Sequence, residues 1–99
     1  MARLDVFANP EGEGYLLDVQ ADLLDLLNAR VVVPLLPRAQ APQPAKRLNP
    51  VFTIDADDVV MVTQFLAAVP TNLLRQRVGT LAEAHDEVTV ALDMLFQGF

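Results

Sequence analysis

The stretch from residue 51 to residue 69 constrains the fold more than any other part of the chain. Its first part, VFTID at 51–55, alternates apolar and polar residues, and its second part, VVMVTQFLAAV at 59–69, is rich in apolar and β-branched residues. Both patterns favour β-strands. The acidic segment Ala56-Asp57-Asp58 between them predicts a turn. This stretch therefore predicts an antiparallel pair of core strands.

More strands are predicted before this pair. Residues 3–8 and 15–20 flank a turn rich in Asn, Pro and Gly at 8–14, which predicts an N-terminal hairpin. The β-branched segment 30–36 predicts another strand. Because Pro34 within it has no amide proton, we expect that strand at a sheet edge, at a bulge, or with this amide turned away from a neighbour. Segment 21–28 has leucines at helix-compatible spacing but is too short to assign.

The remaining segments predict a loop, a link and a helix. Residues 37–47 contain three prolines and predict an extended surface loop, and Pro70 stops the second core strand. The stretch that follows predicts an irregular or single-turn link. Thr80 followed by Glu83 predicts a capping box at the start of a helix over 81–96.

One face of the predicted helix is apolar and suited to cover a sheet. Its members are Leu81, Ala84, Val88, Ala91, Leu92 and Leu95. Met94, Leu95 and Phe96 are consecutive, and at about 100° per residue they cannot all point to one side. At least one of them needs a partner outside its own core. The terminal MLFQGF has three interpretations: it folds back onto the core, forms a dimer, or binds another protein.

Composition limits the class of protein. A chain of 99 residues predicts one domain, 1–99, and the absence of cysteine makes a reducing cytoplasm the simplest location. No export signal and no run of the ~20 apolar residues needed to span a membrane is present. The net charge of −6 disfavours nucleic-acid binding. Serine and cysteine are both absent, which disfavours acyl-transfer enzymes.

Three local motifs are weak functional signals. His85 is the sole histidine, and with no second imidazole or thiolate to complete a metal site it predicts a solvated helix position. Asp55, Asp57 and Asp58 resemble the start of a calcium loop but lack its glycine and final glutamate, so a hairpin turn is favoured. The PxxP match at 34–37 lies in a β-branched run and predicts strand.

A small basic cluster stands out on this acidic chain. It consists of Arg38, Lys46 and Arg47. It has two interpretations. It is either a soluble loop or a docking surface for an acidic flexible peptide. In the second case, charge pairs would raise the rate and the specificity of association.

Several stretches together resemble the CcdB toxins of bacterial toxin–antitoxin modules. They are DVQADLLD at 18–25, RVVVPL at 30–35, LNPVFTID at 48–55, the run from Met61 to Pro70, and LDMLFQGF at 92–99. The resemblance covers nearly the whole chain. It implies a mainly β (α+β) fold, a small SH3-like antiparallel β-barrel with a C-terminal α-helix, assembled as a homodimer around the helix region through Met94, Leu95 and Phe96.

The resemblance also implies a function. Such toxins bind the A subunit of DNA gyrase, trap its cleaved-DNA complex and are neutralised by a disordered antitoxin tail, without being enzymes or needing a cofactor. The gyrase-contacting positions of the family fall on Leu23, Leu24, Asp93, Gln97, Gly98 and Phe99. The basic cluster is then a candidate antitoxin-binding site, and a bacterial cytoplasmic protein that binds neither membrane nor nucleic acid is expected.

Two departures from the family matter. Toxic members end in Phe-Trp-Gly-Ile, whereas this chain has Phe96-Gln97-Gly98-Phe99, so the aromatic anchor is missing at 97. Leu26-Leu27-Asn28 stands where the family has a Pro-Gly turn. A homologue that keeps antitoxin binding but has weakened or altered gyrase action is therefore an alternative. A third hypothesis is a barrel-type toxin ribonuclease. For it, only Arg30 and nearby threonines could act around a scissile phosphate.

Overall fold

A computed structural model describes residues 2–99, which form one curled antiparallel sheet and a C-terminal helix. The strands are β1 (Asp5–Ala8), β2 (Tyr15–Asp18), β3 (Ala29–Pro37), β4 (Val51–Ile54), β5 (Asp57–Met61), β6 (Ala67–Pro70) and β7 (Arg77–Thr80), and the helix is α1 (His85–Gln97). The strand order is β4-β5-β3-β2-β1-β7, and β6 also pairs with β3. The sheet has the form of a half-barrel. The predicted mainly β class with a C-terminal helix is confirmed.

The N-terminal hairpin is confirmed with shorter strands than the pattern suggested. β1 and β2 pair antiparallel, with Val6 opposite Leu17. In the connecting turn Gly14 has φ +85°, and a Cβ at this position would collide with the carbonyl oxygen of Leu35. Glycine is therefore required there both by backbone conformation and by space.

β3 is the central strand, and it explains how proline is accommodated. It pairs with β2 on one side and with both β5 and β6 on the other. On that second side residues 62–66 leave the ladder opposite Val33 and Pro34, and the Pro34 carbonyl accepts the amide of Val62 at 3.0 Å. The expectation that β3 lies at a sheet edge is therefore wrong. The expected irregularity at Pro34 is confirmed, because the position of its missing amide proton faces a gap in strand pairing.

The core strand pair is confirmed with two corrections. The turn is the two-residue segment Asp55–Ala56, both with positive φ, while Asp57 and Asp58 already lie in β5. Positive φ at both central residues matches the twist of a two-residue hairpin. The predicted single strand over 59–69 is wrong. A 3₁₀ turn at Thr63–Phe65 divides it, because Thr63 is buried and donates to the carbonyl of Leu48.

The region before α1 also differs from the prediction. The link after Pro70 contains a single 3₁₀ turn, Thr71–Leu73, as expected, but β7 then pairs with β1 and was not predicted. The capping box is wrong. The Thr80 hydroxyl accepts the amide of Ala82 at 3.1 Å and donates to Leu4, so a 3₁₀ turn precedes a helix that begins at His85 instead of 81.

α1 closes the concave face of the sheet. Val88 and Ala91 are fully buried in a core with Leu17, Val33 and Met61. The apolar face predicted for the helix is thus confirmed at its centre. Residues 37–47 are mostly exposed, as predicted, with one 3₁₀ turn at Arg38–Gln40. Among residues 2–99 no helix is long and apolar enough to cross a membrane.

Candidate functional site

The chain end projects from the helix and does not return to the core. Gly98 has φ +81°, and its amide donates to the carbonyl of Met94 at 3.1 Å, which closes the last helical turn. This left-handed residue redirects the chain, as glycine commonly does after a helix. Phe99 follows with its surface 77% exposed. Within this single chain, the interpretation that the tail folds back onto its own core is wrong.

The last turns of α1 leave apolar surface uncovered. Met94 and Leu95 are partly buried, whereas Phe96 is 69% exposed and Val90 is also exposed. The expectation that at least one member of the consecutive apolar trio points away from the core is therefore confirmed. Together with the exposed Phe99, these side chains make the end of α1 a candidate protein-binding surface.

Gln97 and Asp93 are one helical turn apart, next to the tail. The Gln97 amide donates to the Asp93 carboxylate at 3.4 Å. Gln97 is exposed and Asp93 is partly buried. Because an i, i+4 pair occupies one helix face, these two polar side chains lie together on the face of α1 that leads into the tail.

A second exposed apolar patch lies in residues 21–28, which we call the leucine loop. It contains a 3₁₀ turn, Asp22–Leu24, so the ambiguous segment is neither strand nor regular helix. Leu23 and Leu26 are 93% and 99% exposed, and Leu24 and Leu27 are about half exposed. Four outward-facing leucines within eight residues are unusual for a solvated loop of a monomer.

Polar groups hold the leucine loop in place from below. The Asp25 carboxylate accepts from the Arg30 guanidinium at 2.8 Å, and the Leu24 carbonyl accepts from the Gln20 side chain at 3.1 Å. At its two ends, Asp22 accepts the amide of Arg3 at 2.7 Å and the Asn28 carbonyl accepts the amide of Thr71 at 2.9 Å. Hydrogen bonds thus join the loop to the residues below it, while its leucine side chains face solvent.

Arg30 is fully buried beneath this loop, where it also bonds to the carboxylate of Asp18. Burial is the main reason why the pKa of Asp18 lies above its ordinary value, and the hydrogen bonds from Arg30 and from the Gln20 amide act in the opposite direction. A guanidinium enclosed between two carboxylates is not presented to a phosphate in solvent. The ribonuclease alternative loses the residue on which it depended.

The structure divides the residues that the resemblance assigns to gyrase binding between two patches. Leu23 and Leu24 lie in the leucine loop, and Asp93, Gln97, Gly98 and Phe99 lie at the end of α1. Within the described part of the chain, no hydrogen bond or ion pair connects the two patches. Leu26 and Leu27, which no pattern singled out as functional, are exposed together with Leu23. Their sequence signal is a leucine-rich run too short to form a helix.

The basic cluster is exposed but is not one compact group along the chain. Arg38 lies in the 3₁₀ turn after β3, and Lys46 and Arg47 lie some eight residues later, just before β4. Arg47 borders a shallow groove of about 400 Å³. The other lining residues are Pro50, Asp86, Glu87 and Val90. The exposed lining is mainly apolar and includes one cationic and two carboxylate side chains.

The weak motifs have ordinary structural positions. His85 is exposed at the start of α1, with its Nδ1 3.5 Å from the Asp86 carboxylate. Asp55 forms the hairpin turn, as predicted. Asp57 and Asp58 line an open cavity of about 440 Å³ beside Tyr15. Partial burial, followed by the charges of Asp57 and Asp55, raises the pKa of Tyr15 above its ordinary value. Within residues 2–99, no group of three or more His, Cys, Asp or Glu side chains is arranged to hold a metal.

Comparison with models of protein families gives a match that spans almost the entire fold. Residues 3–98 match the family described as CcdB protein. The matched segment includes the leucine loop, the basic cluster and all of α1, and omits only Phe99 at the C-terminal end.

Proposed function

This chain belongs to the CcdB family of toxin–antitoxin toxins, and from that premise we propose that it binds the A subunit of DNA gyrase and traps the cleaved-DNA complex. The chain would act as an inhibitor of a topoisomerase with no catalytic step of its own. Its place of action would be the bacterial cytoplasm, where gyrase works.

The observation that carries this proposal is the exposed end of α1. Phe99 presents a large apolar surface two residues beyond Gln97, which is hydrogen-bonded to Asp93. A buried aromatic anchor surrounded by polar contacts is the usual composition of a strong protein–protein contact. We assign gyrase contacts to this end and to the leucine loop: Leu23, Leu24, Asp93, Gln97, Gly98 and Phe99.

We further propose that two copies pair through the C-terminal half of α1. Met94, Leu95 and Phe96 supply the apolar contact, because the single chain leaves them partly or largely exposed. Closed twofold pairing is the commonest form of self-association, and it places the same patch on both copies. The two chain ends would then lie near each other, next to the surface proposed for gyrase.

The antitoxin would neutralise the toxin through an acidic disordered tail. Arg38, Lys46 and Arg47 are exposed and carry the charge that attracts such a tail. The groove beside Arg47 is also lined by Asp86 and Glu87, so it would take an apolar side chain of the tail and not an acidic one. Reversing the charge of Arg38 or Lys46 should therefore slow antitoxin association and reduce its salt dependence, which rapid-mixing fluorescence measures with a labelled tail peptide.

The test of the main proposal has two parts. Controlled expression of the protein in bacteria should stop growth, and the purified protein should accumulate cleaved plasmid DNA when incubated with gyrase and ATP. Phe99→Ala should weaken both effects, whereas Val51→Ala on β4 should leave both unchanged. Unaltered growth together with unaltered gyrase activity would contradict the proposal.

A second candidate function follows from one residue. Gln97 has no aromatic face, so a toxin that still binds its antitoxin but acts weakly on gyrase is also consistent with the tail. The amount of cleaved DNA at saturating toxin distinguishes the two candidates. The weakened form binds an antitoxin tail tightly and accumulates little cleaved DNA, even at saturating toxin.

A further inference from the structure

We propose that the leucine loop is the principal apolar anchor of this chain for gyrase, and that Leu26 and Leu27 contribute to it as much as Leu23 does. This inference rests on the proposed function. It adds two residues that the family resemblance does not assign, at positions where this chain departs from the Pro-Gly turn of the family.

The first support is the exposure of the leucines. Leu26 is the most exposed large apolar side chain of the described residues, and Leu23 comes next. Leucine at such positions contributes nothing to the core of its own chain, since its side chain contacts mainly water. A contiguous set of four exposed leucines therefore marks a surface that is covered in a complex.

The second support is that the loop is pre-shaped. The Arg30–Asp25 ion pair and the Gln20–Leu24 hydrogen bond join its middle to the buried layer, and Asp22 and Asn28 fix its ends. Anchors held in their bound shape lose less conformational entropy when they bind, which raises affinity. Arg30 is thus a positioning residue: it does not touch the partner but fixes the conformation that presents the leucines.

Charge decides between the three occupants of this surface. The leucine loop carries Asp22 and Asp25, both solvent-exposed, on a chain of net charge −6. A second copy would place these carboxylates against their own equivalents, and an acidic antitoxin tail would also be repelled. Leu23 and Leu24 of the same loop are already assigned to gyrase contact, and a DNA-binding enzyme such as gyrase carries basic surface that these carboxylates would attract. Gyrase is therefore the complementary partner.

The loop also supplies what the chain end lacks. With Gln97 in place of an aromatic residue, the tail retains only Phe96 and Phe99 as large apolar contacts, and we assign Phe96 to self-association. Binding through the tail alone would leave little apolar area for gyrase. The leucine loop provides that area on a rigid support, so affinity can persist without the aromatic residue at 97.

The experiment measures gyrase affinity of the full-length protein by surface plasmon resonance on the immobilised A subunit. Leu26→Gln and Leu27→Gln should each weaken binding by about tenfold or more, since each removes a leucine from the buried contact. Leu26→Gln should keep the wild-type thermal midpoint because Leu26 is almost fully exposed, whereas Leu27→Gln should lower it slightly because Leu27 is half buried. Val51→Gln, an exposed apolar residue on β4, serves as the matched control and should bind like wild type.

The outcomes are distinct. If wild-type protein does not bind gyrase, the proposed function fails and this inference fails with it. If wild-type protein binds and both leucine variants bind equally well, only this inference is overturned. If gyrase affinity is unchanged but self-association or antitoxin affinity falls, the loop belongs to the second copy or to the antitoxin, which also overturns it.

A further variant tests the positioning role. Asp25→Asn removes the charge that Arg30 holds while keeping all four leucines. Amide hydrogen exchange in residues 21–28 should become faster, and gyrase affinity should fall although no contacting side chain has changed. Faster exchange with unchanged affinity would overturn the role of Arg30 in presenting the loop.

Discussion

Gln97 is the residue at which this chain departs most from the toxic members it resembles. It lies on the exposed end of α1 and hydrogen-bonds to Asp93 within the same helix face. A glutamine amide can bond to a partner but provides no aromatic surface. The strength of the proposed gyrase binding therefore depends on how much of the lost contact other residues replace.

Gln97→Trp should increase gyrase affinity and toxicity. Loss of an aromatic anchor at an interface typically costs ~2–4 kcal/mol, which corresponds to roughly thirty- to several-hundred-fold in affinity. The measurements are the equilibrium dissociation constant for the A subunit and growth arrest on expression. Gln97→Leu is the matched control, because it adds apolar area without an aromatic face. A tryptophan variant that behaves like wild type would refute the anchor argument.

Tyr15 is a residue whose ionisation reports on its surroundings directly. It is the sole tyrosine, and no tryptophan is present, so its ultraviolet absorbance is unobscured. Burial and the carboxylates of Asp57 and Asp55 raise the pKa of Tyr15, so the folded protein should titrate above pH 10.0, the ordinary value. Its contribution to stability is complete below the unfolded pKa and declines as pH rises through the raised folded pKa.

Absorbance titration of folded protein measures this midpoint. Asp57→Asn should lower the midpoint part of the way toward the ordinary value, because burial is the larger cause and remains. Asp86→Asn on α1 removes an equal charge farther from Tyr15 and should leave the titration midpoint of Tyr15 unchanged. A folded midpoint at or below 10 would show that the ring is more solvated than the structure indicates.

At the scale of elements, the β4–β5 turn contains local backbone strain. Ala56 has φ +70°, a conformation that costs about 1–2 kcal/mol for a residue with a Cβ. Asp55 before it tolerates positive φ better because its short polar side chain can bond locally. Asp-Gly is a preferred pair for this kind of two-residue turn, and this chain has Asp-Ala.

Ala56→Gly should therefore stabilise the protein. Removal of the strain exceeds the entropic penalty of glycine, about 0.5–1 kcal/mol, so the free energy of unfolding should rise by about 0.5–1 kcal/mol. Urea denaturation measures the change. Ala68→Gly in β6, where φ is negative, is the matched control and should destabilise by a similar amount. The same sign for both substitutions would contradict the turn geometry.

At the scale of the whole molecule, the apolar end of α1 leads us to expect a dimer. Wild-type protein should sediment as a dimer at micromolar concentration. Phe96→Ala should raise the dimer dissociation constant by about tenfold or more, since it removes a largely exposed aromatic side chain from the proposed contact. Analytical ultracentrifugation over a dilution series gives the constant.

Val51→Ala is the control for this dimer prediction, because Val51 is an exposed apolar residue on a different element, β4. It should leave the constant unchanged. A wild-type monomer at micromolar dilution would refute pairing through α1. The gyrase-cleavage assay would then show whether the monomer alone carries the activity.

Local sequence patterns predicted most of the elements. Alternation and β-branched runs located the N-terminal hairpin, β3 and the β4–β5 pair, because a strand with one buried face must alternate. The apolar spacing around Val88 and Ala91 located the helix and its buried face. The consecutive residues Met94 to Phe96 indicated surplus apolar surface from helix geometry alone. These features depend on near neighbours in the chain.

Other features were decided by contacts between distant residues. β7 contains only Arg77–Thr80 and forms because β1 offers it an unpaired edge. The run 59–69 is divided into two strands for two reasons. The Thr63 hydroxyl donates to the carbonyl of Leu48, and Pro34, which lies on β3 opposite residues 62–66, has no amide proton to pair with them. Thr80 bonds to Leu4 instead of capping a helix, which delays the start of α1.

The sequence by itself determined the mainly β character, the C-terminal helix and an apolar chain end, since all three follow from short-range periodicity. Only the tertiary structure decided the orientation of residues 21–28. Leucine spacing alone was equally suited to a buried helix turn, but Arg30, which is buried beneath the segment and paired with Asp18, also binds the half-exposed Asp25 and so ties the segment to the fold through its polar side. The leucines face solvent because polar contacts from residues distant in the chain, Arg3, Gln20, Arg30 and Thr71, fix the conformation of this segment.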